Sequence, residues 1–151
     1  DDAAGSYEEP LSVQAAIAKT AGQRNVNIIL RKGEYRFEGC TGQADSRIDG
    51  GTLSYCMSYN PIDCTISGET DNPADTVLIG PEGNTTTRAI GFCAASPVSL
   101  NNLTFTNFHS SSKGGAVFTS THNTLNISNC HFYCNAASNG GAVQSGATFT
   151  D

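Results

Sequence analysis

Four sets of residues carry side chains able to do chemistry. His109 and His131 lie 22 residues apart in matching contexts. Two imidazoles on one column could bind a metal ion or relay a proton. No third ligand repeats with them, so a surface column is the expected role. Asp63, Glu69, Asp71 and Asp75 crowd one short segment. Several carboxylate oxygens together suit Ca²⁺, but the spacing fits no EF-hand and a solvated loop is the plainer expectation. No cofactor is expected. The six cysteines, Cys40, Cys56, Cys64, Cys93, Cys130 and Cys134, include no CxxC pair. That usage favours disulfides and an oxidising compartment over a metal site. One pairing joins Cys130 to Cys134 across a turn and Cys64 to Cys93 in neighbouring repeats, leaving Cys40 with Cys56; other connectivities stay open. Asn84, Asn102 and Asn126 each begin an N-x-[ST] sequon, the mark of exposed surface in a secreted, extracellular glycoprotein.

The elements that must position these groups are repeats. Leu103–His109 and Leu125–His131 match at an offset of 22 residues, and 147–151 follows at the same offset. Between them Gly114-Gly115-Ala116-Val117 recurs as Gly140-Gly141-Ala142-Val143. Repetition at this period marks a solenoid. Inside each word apolar and polar residues alternate, so the words are short strands with one face buried. The connections are short and rich in Ser, Gly and Asn, which leaves no room for helices. A parallel β-helix meets these conditions, with like residues stacked in columns. Asn107, Asn129 and Asp151 then form an expected turn ladder, because Asn tolerates left-handed backbone angles. Alternation also turns Asn102 and Asn126 outward. Glycans there would screen that face from a polymeric substrate.

The rest of the chain reads as one domain over residues 1–151. Residues 1–22 give an acidic lead-in and a helix over 10–21 that closes the first coil, since a solenoid end exposes apolar side chains unless capped. Strands are expected at 26–30, 34–37, 64–68, 76–80 and 98–100, and 88–93 occupies the place of the later Gly-Gly-Ala-Val words. Residues 40–61 break the pattern as an excursion. The last strand word stops at its turn position, which suggests a fragment or an end covered by a partner. With 14 acidic and 8 basic residues the net charge is −6, which disfavours nucleic acid. No apolar run is long enough to insert across a membrane as a helix.

Two resemblances sharpen this. The Gly-Gly-Ala-Val words and Phe132-Tyr133-Cys134-Asn135 resemble the GGA[I/L/V] and FxxN repeats of polymorphic membrane protein passengers, which are β-helical adhesins. Val13-Gln14-Ala15-Ala16-Ile17 and Gly33-Glu34-Tyr35 resemble the opening of pectin-lyase-like proteins. The resemblance implies an all-β, right-handed parallel β-helix with a short N-terminal capping α-helix. It also raises pectin chemistry. Pectin methylesterases are similar in Thr104-Phe105-Thr106-Asn107 and Ala116-Val117. Yet the Gln expected before Ala-Val is Gly115, and Cys134-Asn135-Ala136 replaces their Gln-Asp pair. The Asp clusters of pectate lyases and polygalacturonases have no counterpart in the repeats, so no catalytic residue is assigned. The expected function is a secreted, non-catalytic structural or adhesive module. Its partners would be other subunits or a continuation of the chain at the C-terminal end, with polysaccharide as a further ligand. The alternatives are a pectin-lyase-like carbohydrate-active enzyme whose active coils lie elsewhere, and a carbohydrate-binding module.

Overall fold

The computed structural model describes residues 6, 8, 11–20, 23–37, 54–59, 62–82, 87–92, 97–119, 124–144 and 147–150. They form α1 (Val13–Thr20), β1 (Arg24–Leu30), β2 (Gly33–Arg36), β3 (Ser54–Tyr59), β4 (Ile62–Gly68) and a 3₁₀ turn (Pro73–Asp75). Next come β5 (Thr76–Ile79), β6 (Thr87–Phe92), β7 (Val98–Asn101), β8 (Thr104–Thr106), β9 (His109–Lys113) and β10 (Val117–Thr119). The remainder is β11 (Leu125–Ser128), β12 (His131–Tyr133), β13 (Ala136–Asn139), β14 (Val143–Gln144) and β15 (Ala147–Thr150). The α1 helix starts three residues after Pro10, because Ser12 is its cap: the Ser12 hydroxyl accepts from Ala15 N at 3.2 Å. Val13 is buried, and Ala16 packs against the same core.

The strands gather into three sheets that the chain visits in turn. The first sheet runs β1-β4-β7-β11-β15 and the second β12-β8-β5-β2. The third runs β13-β9-β6-β10-β14, with β3 also paired to β6. Every pairing is parallel except a single antiparallel bridge between Thr87 and His109. Parallel neighbours need a long return path, and here the other two sheets supply it. The architecture is all-β and parallel, compatible with a solenoid.

Alternation fixes which side chains face in. Burial switches residue by residue along β1, β7 and β11. In the first sheet Val26, Cys64, Val98 and Leu125 share one inward column, and Ile28, Ile66, Leu100 and Ile127 share the next. In the second sheet Tyr35, Leu78, Phe105 and Phe132 stand in register. The Phe105 and Phe132 rings stack with centroids 5.0 Å apart and planes 4° from parallel. Each such apolar side chain contributes about 1.5–3 kcal/mol on burial.

The register corrects one reading of the repeats. The structure pairs Leu125 with Ala147, as the 22-residue offset requires, but it pairs Leu125 with Val98 and not with Leu103. Phe105 lies instead under Phe132, in the second sheet. The two words resemble each other because both are half-buried strands, yet they belong to different sheets. The Gly-Gly-Ala-Val words do stack, with Val117 on Val143, and Ile90 takes the same place one round earlier.

The Gly-Gly word has a geometric cause. Gly114 and Gly140 both sit at φ +60°, and a Cβ on Gly115 would strike the Gly141 carbonyl. A similar close approach occurs at Gly80, whose added Cβ would meet the Asn107 carbonyl and the Phe108 ring. Gly80→Ala should therefore lower stability by about 1–3 kcal/mol. Gly141→Ala, with its nearest atom 3.8 Å away, should leave the urea midpoint nearly unchanged. Equal midpoints for the two variants would contradict this packing.

Candidate functional site

The corners between sheets are built by residues with left-handed backbone. Asn25 and Asp63, the second residues of β1 and β4, sit at φ 53° and 52° where the chain enters the first sheet. Asn102 and Asn129, at 57° and 48°, lie between the first and second sheets. Asn107 and Cys134, at 64° and 53°, lie between the second and third. The ladder therefore pairs Asn102 with Asn129 and not Asn107 with Asn129, and Asp151 lies outside the described residues. The Asn129 amide donates to Asn102 Oδ1 at 2.9 Å and to the Asp71 carbonyl at 2.6 Å. Asn107 donates to the Pro81 carbonyl at 3.5 Å.

Asn135 is a ladder residue that sequence reasoning noticed only as part of FxxN. Its Oδ1 accepts from Phe108 N at 3.0 Å, and its Nδ2 donates to the Phe105 carbonyl at 2.9 Å. One amide thus satisfies a donor and an acceptor of the round below. Phe105 and Phe108 have the spacing of Phe132 and Asn135, and that spacing was the available signal for the true register.

The acidic segment is a strap. Glu69 Oε2 accepts from Lys32 N at 2.9 Å. Asp75 meets Lys32 Nζ at 3.1 Å and the Thr70 hydroxyl at 3.1 Å. The Lys32 ammonium, helped by Thr70, holds the Asp75 carboxyl below the usual carboxylate range. Asn72 caps the 3₁₀ turn by accepting from Ala74 N. The Pro73 carbonyl then accepts from the Thr104 hydroxyl at 2.8 Å, and the Asp71 carbonyl from Asn129. The segment thereby links β2's approach, β5, β8 and the end of β11. Asp63 stands apart from it at the start of β4. Among the described residues no group of three His, Cys, Asp or Glu is placed to hold a metal.

The histidines do not form a column. His109 is in register with Ala136 in the third sheet, while His131 is in register with Thr104 in the second. The cause is the same register that separates Leu103 from Leu125. Cys130 and Cys134 are not joined to each other. Cys130 packs against the core, 3.5 Å and 3.3 Å from the Leu100 and Ser128 carbonyls, while Cys134 occupies an exposed corner. The corner closes through Asn135 without a covalent staple. Cys64 is buried in the first sheet. Cys40, Cys93 and Asn84 lie outside the described residues, and of Cys56 only the backbone, in β3, is described. Asn126 is exposed on β11, whereas Asn102 is half-buried under Asn129.

Arg88 is the largest fully buried side chain. Its Nε donates to the Gly114 carbonyl at 2.9 Å and its guanidinium lies 4.8 Å from the Phe118 ring centroid. The cation–π contact and the carbonyl offset part of the desolvation cost of a buried charge. It therefore acts as a core strut beneath the Gly-Gly-Ala-Val round.

On the outer side of the first sheet, a groove of about 400 Å³ opens over the first turns of β1, β4 and β7. Asn25, Asn27, Asp63, Thr65 and Ser99 line it with Val26, Cys64 and Pro97. No protein family, curated protein or solved structure matches the chain. The groove and corners therefore rest on their own chemistry.

Two outcomes are expected. Asn135→Ala leaves a half-buried donor and acceptor unsatisfied and should cost about 1–3 kcal/mol in chemical denaturation. Asn135→Asp keeps the acceptor for Phe108 N and should recover part of that loss; full stability in Asn135→Ala would remove the bridging role. Burial pushes the Cys130 thiol up to about 11. Since the thiolate reacts, iodoacetamide should modify Cys130 negligibly at pH 8, and about tenfold faster for each pH unit approaching 11. Peptide mass mapping reads this, and rapid Cys130 alkylation in folded protein at pH 8 would contradict the burial.

Proposed function

We propose that the chain is a segment of a right-handed parallel β-helix, serving outside the cell as a non-catalytic structural or adhesive module. One observation carries the reading. Two of the first sheet's outward columns, Asn27/Thr65/Ser99/Asn126 and Ile29/Ser67/Asn101/Ser128, hold only neutral side chains, and Asp63 is a lone carboxylate beside them with no second acid or base in the groove lining. Hydroxyls without a neighbouring base are poor nucleophiles, and neutral amides move no protons. The carboxylates Glu69 and Asp75 are engaged by Lys32. A face of this kind suits adhesion through many weak polar contacts.

Extracellular placement is supported by the sequons. Partner subunits or further rounds of chain would pair along β12, β13 and β14, where Tyr133 is 53% exposed and Phe132 and Val143 are only partly buried. Among the described residues, no helix is long and apolar enough to cross a membrane. The protein incubated with pectin and with polygalacturonate, with and without Ca²⁺, should release no reducing ends, no unsaturated uronides and no methanol. Turnover above the blank would overturn the non-catalytic reading.

A further inference from the structure

We infer that the groove over the first turns of β1, β4 and β7 is a binding site for a neutral, hydroxyl-rich oligosaccharide. The inference deepens the adhesive reading and rests on it, adding a ligand class and a place.

The first ground is what the lining side chains do not do. The side chains of Asn25, Asn27, Asp63, Thr65 and Ser99 make no hydrogen bond with another described residue, their backbones being engaged in the sheet. At the later corners several such side chains are engaged internally: Asn129 with Asn102 and Asp71, Asn135 with Phe105 and Phe108, Thr104 with Pro73. The second residues of β1 and β4 thus carry the left-handed backbone seen at the corners, and with Pro97 and Ser99 they turn their polar groups to one concave surface. Asn25 and Asp63 hold equivalent left-handed corners there, one round apart.

The second ground is chemistry. Two carboxamides, a carboxylate and two hydroxyls offer both donors and acceptors within one groove. A carboxylate can accept from two adjacent hydroxyls at once, as a vicinal diol presents them. Asn27, Thr65 and Ser99 stand in register on successive strands. Such rungs are spaced about 4.8 Å apart, comparable with one sugar residue in an extended glycan.

The third ground is exclusion. Among the described residues Asp63 is the only charged side chain in the lining, and the chain carries −6 overall. Uronates, sulfated glycans and nucleic acids would meet like charge. The lining contains no aromatic ring, so an apolar ligand gains little there. An open groove without a stacking platform binds weakly, with Kd about 1 mM for one site. Avidity from several copies would then set the useful affinity.

The test uses ¹⁵N-labelled full chain and titrates cellohexaose, xylohexaose, mannohexaose and hexagalacturonate while recording amide shifts. At least one neutral hexasaccharide should perturb Asn27, Thr65 and Ser99, and hexagalacturonate should not. Asp63→Asn, which suits the same left-handed backbone, should weaken the responding sugar about tenfold. Ser128→Ala, on the same face but outside the groove, should leave binding unchanged. Absence of saturable shifts with all three neutral sugars, tighter binding of the galacturonate, or full affinity in Asp63→Asn would each overturn the site. Loss of the site without turnover on pectin leaves the structural reading standing; turnover on pectin sinks that reading whatever the titration gives.

Discussion

The structure depends on parallel backbone pairing held in register from one round to the next. A strand such as β7 finds its hydrogen-bond partners on β4 and β11, far away in sequence. Its inward side chains, Val98 and Leu100, are buried only because those neighbours cover them. A one-residue slip would turn every inward column outward. Register is therefore set by the apolar columns and by corners that return the chain at the right height. Left-handed Asn at the corners, the bridging Asn135 amide and the close-packed glycines all serve that single requirement.

The acidic strap shows the requirement at one corner. Between β4 and β5 the chain makes an excursion, and its polar atoms reach successive rounds. Lys32, Thr104 and Asn129 each contribute a donor to it. Carboxylates that could have gathered a cation instead satisfy an ammonium, a hydroxyl and a backbone amide. Exposed ion pairs add little singly. The strap matters through geometry, as one short segment bonded to several levels of the stack.

Much of this was readable in the chain, and the part that was not has a physical cause. Period-two alternation marks half-buried strands whichever sheet they join, so Leu103-x-Phe105 and Leu125-x-Ile127 looked alike. Alternation cannot say which of the three sheets a strand joins. The Gly-Gly-Ala-Val register was legible because its glycines answer a local need, a left-handed turn followed by close backbone contact. The Asn ladder was legible in kind, through the tolerance of Asn for that backbone, but its members were mispaired by the same ambiguity. The histidine column failed with it. The Cys130–Cys134 staple failed because spacing alone does not report that one thiol faces the core and the other the solvent. The groove lining was not foreseen, since Asn25, Asn27, Asp63 and Ser99 come together only once β1, β4 and β7 lie side by side.

The third sheet begins on one strand track and continues on two. β3 pairs with β6, and beyond β6 the sheet divides, with β9 and β13 on one side of it and β10 and β14 on the other. Among the described residues the third sheet therefore starts from one strand, β3, and ends in two separate edges, β13 and β14.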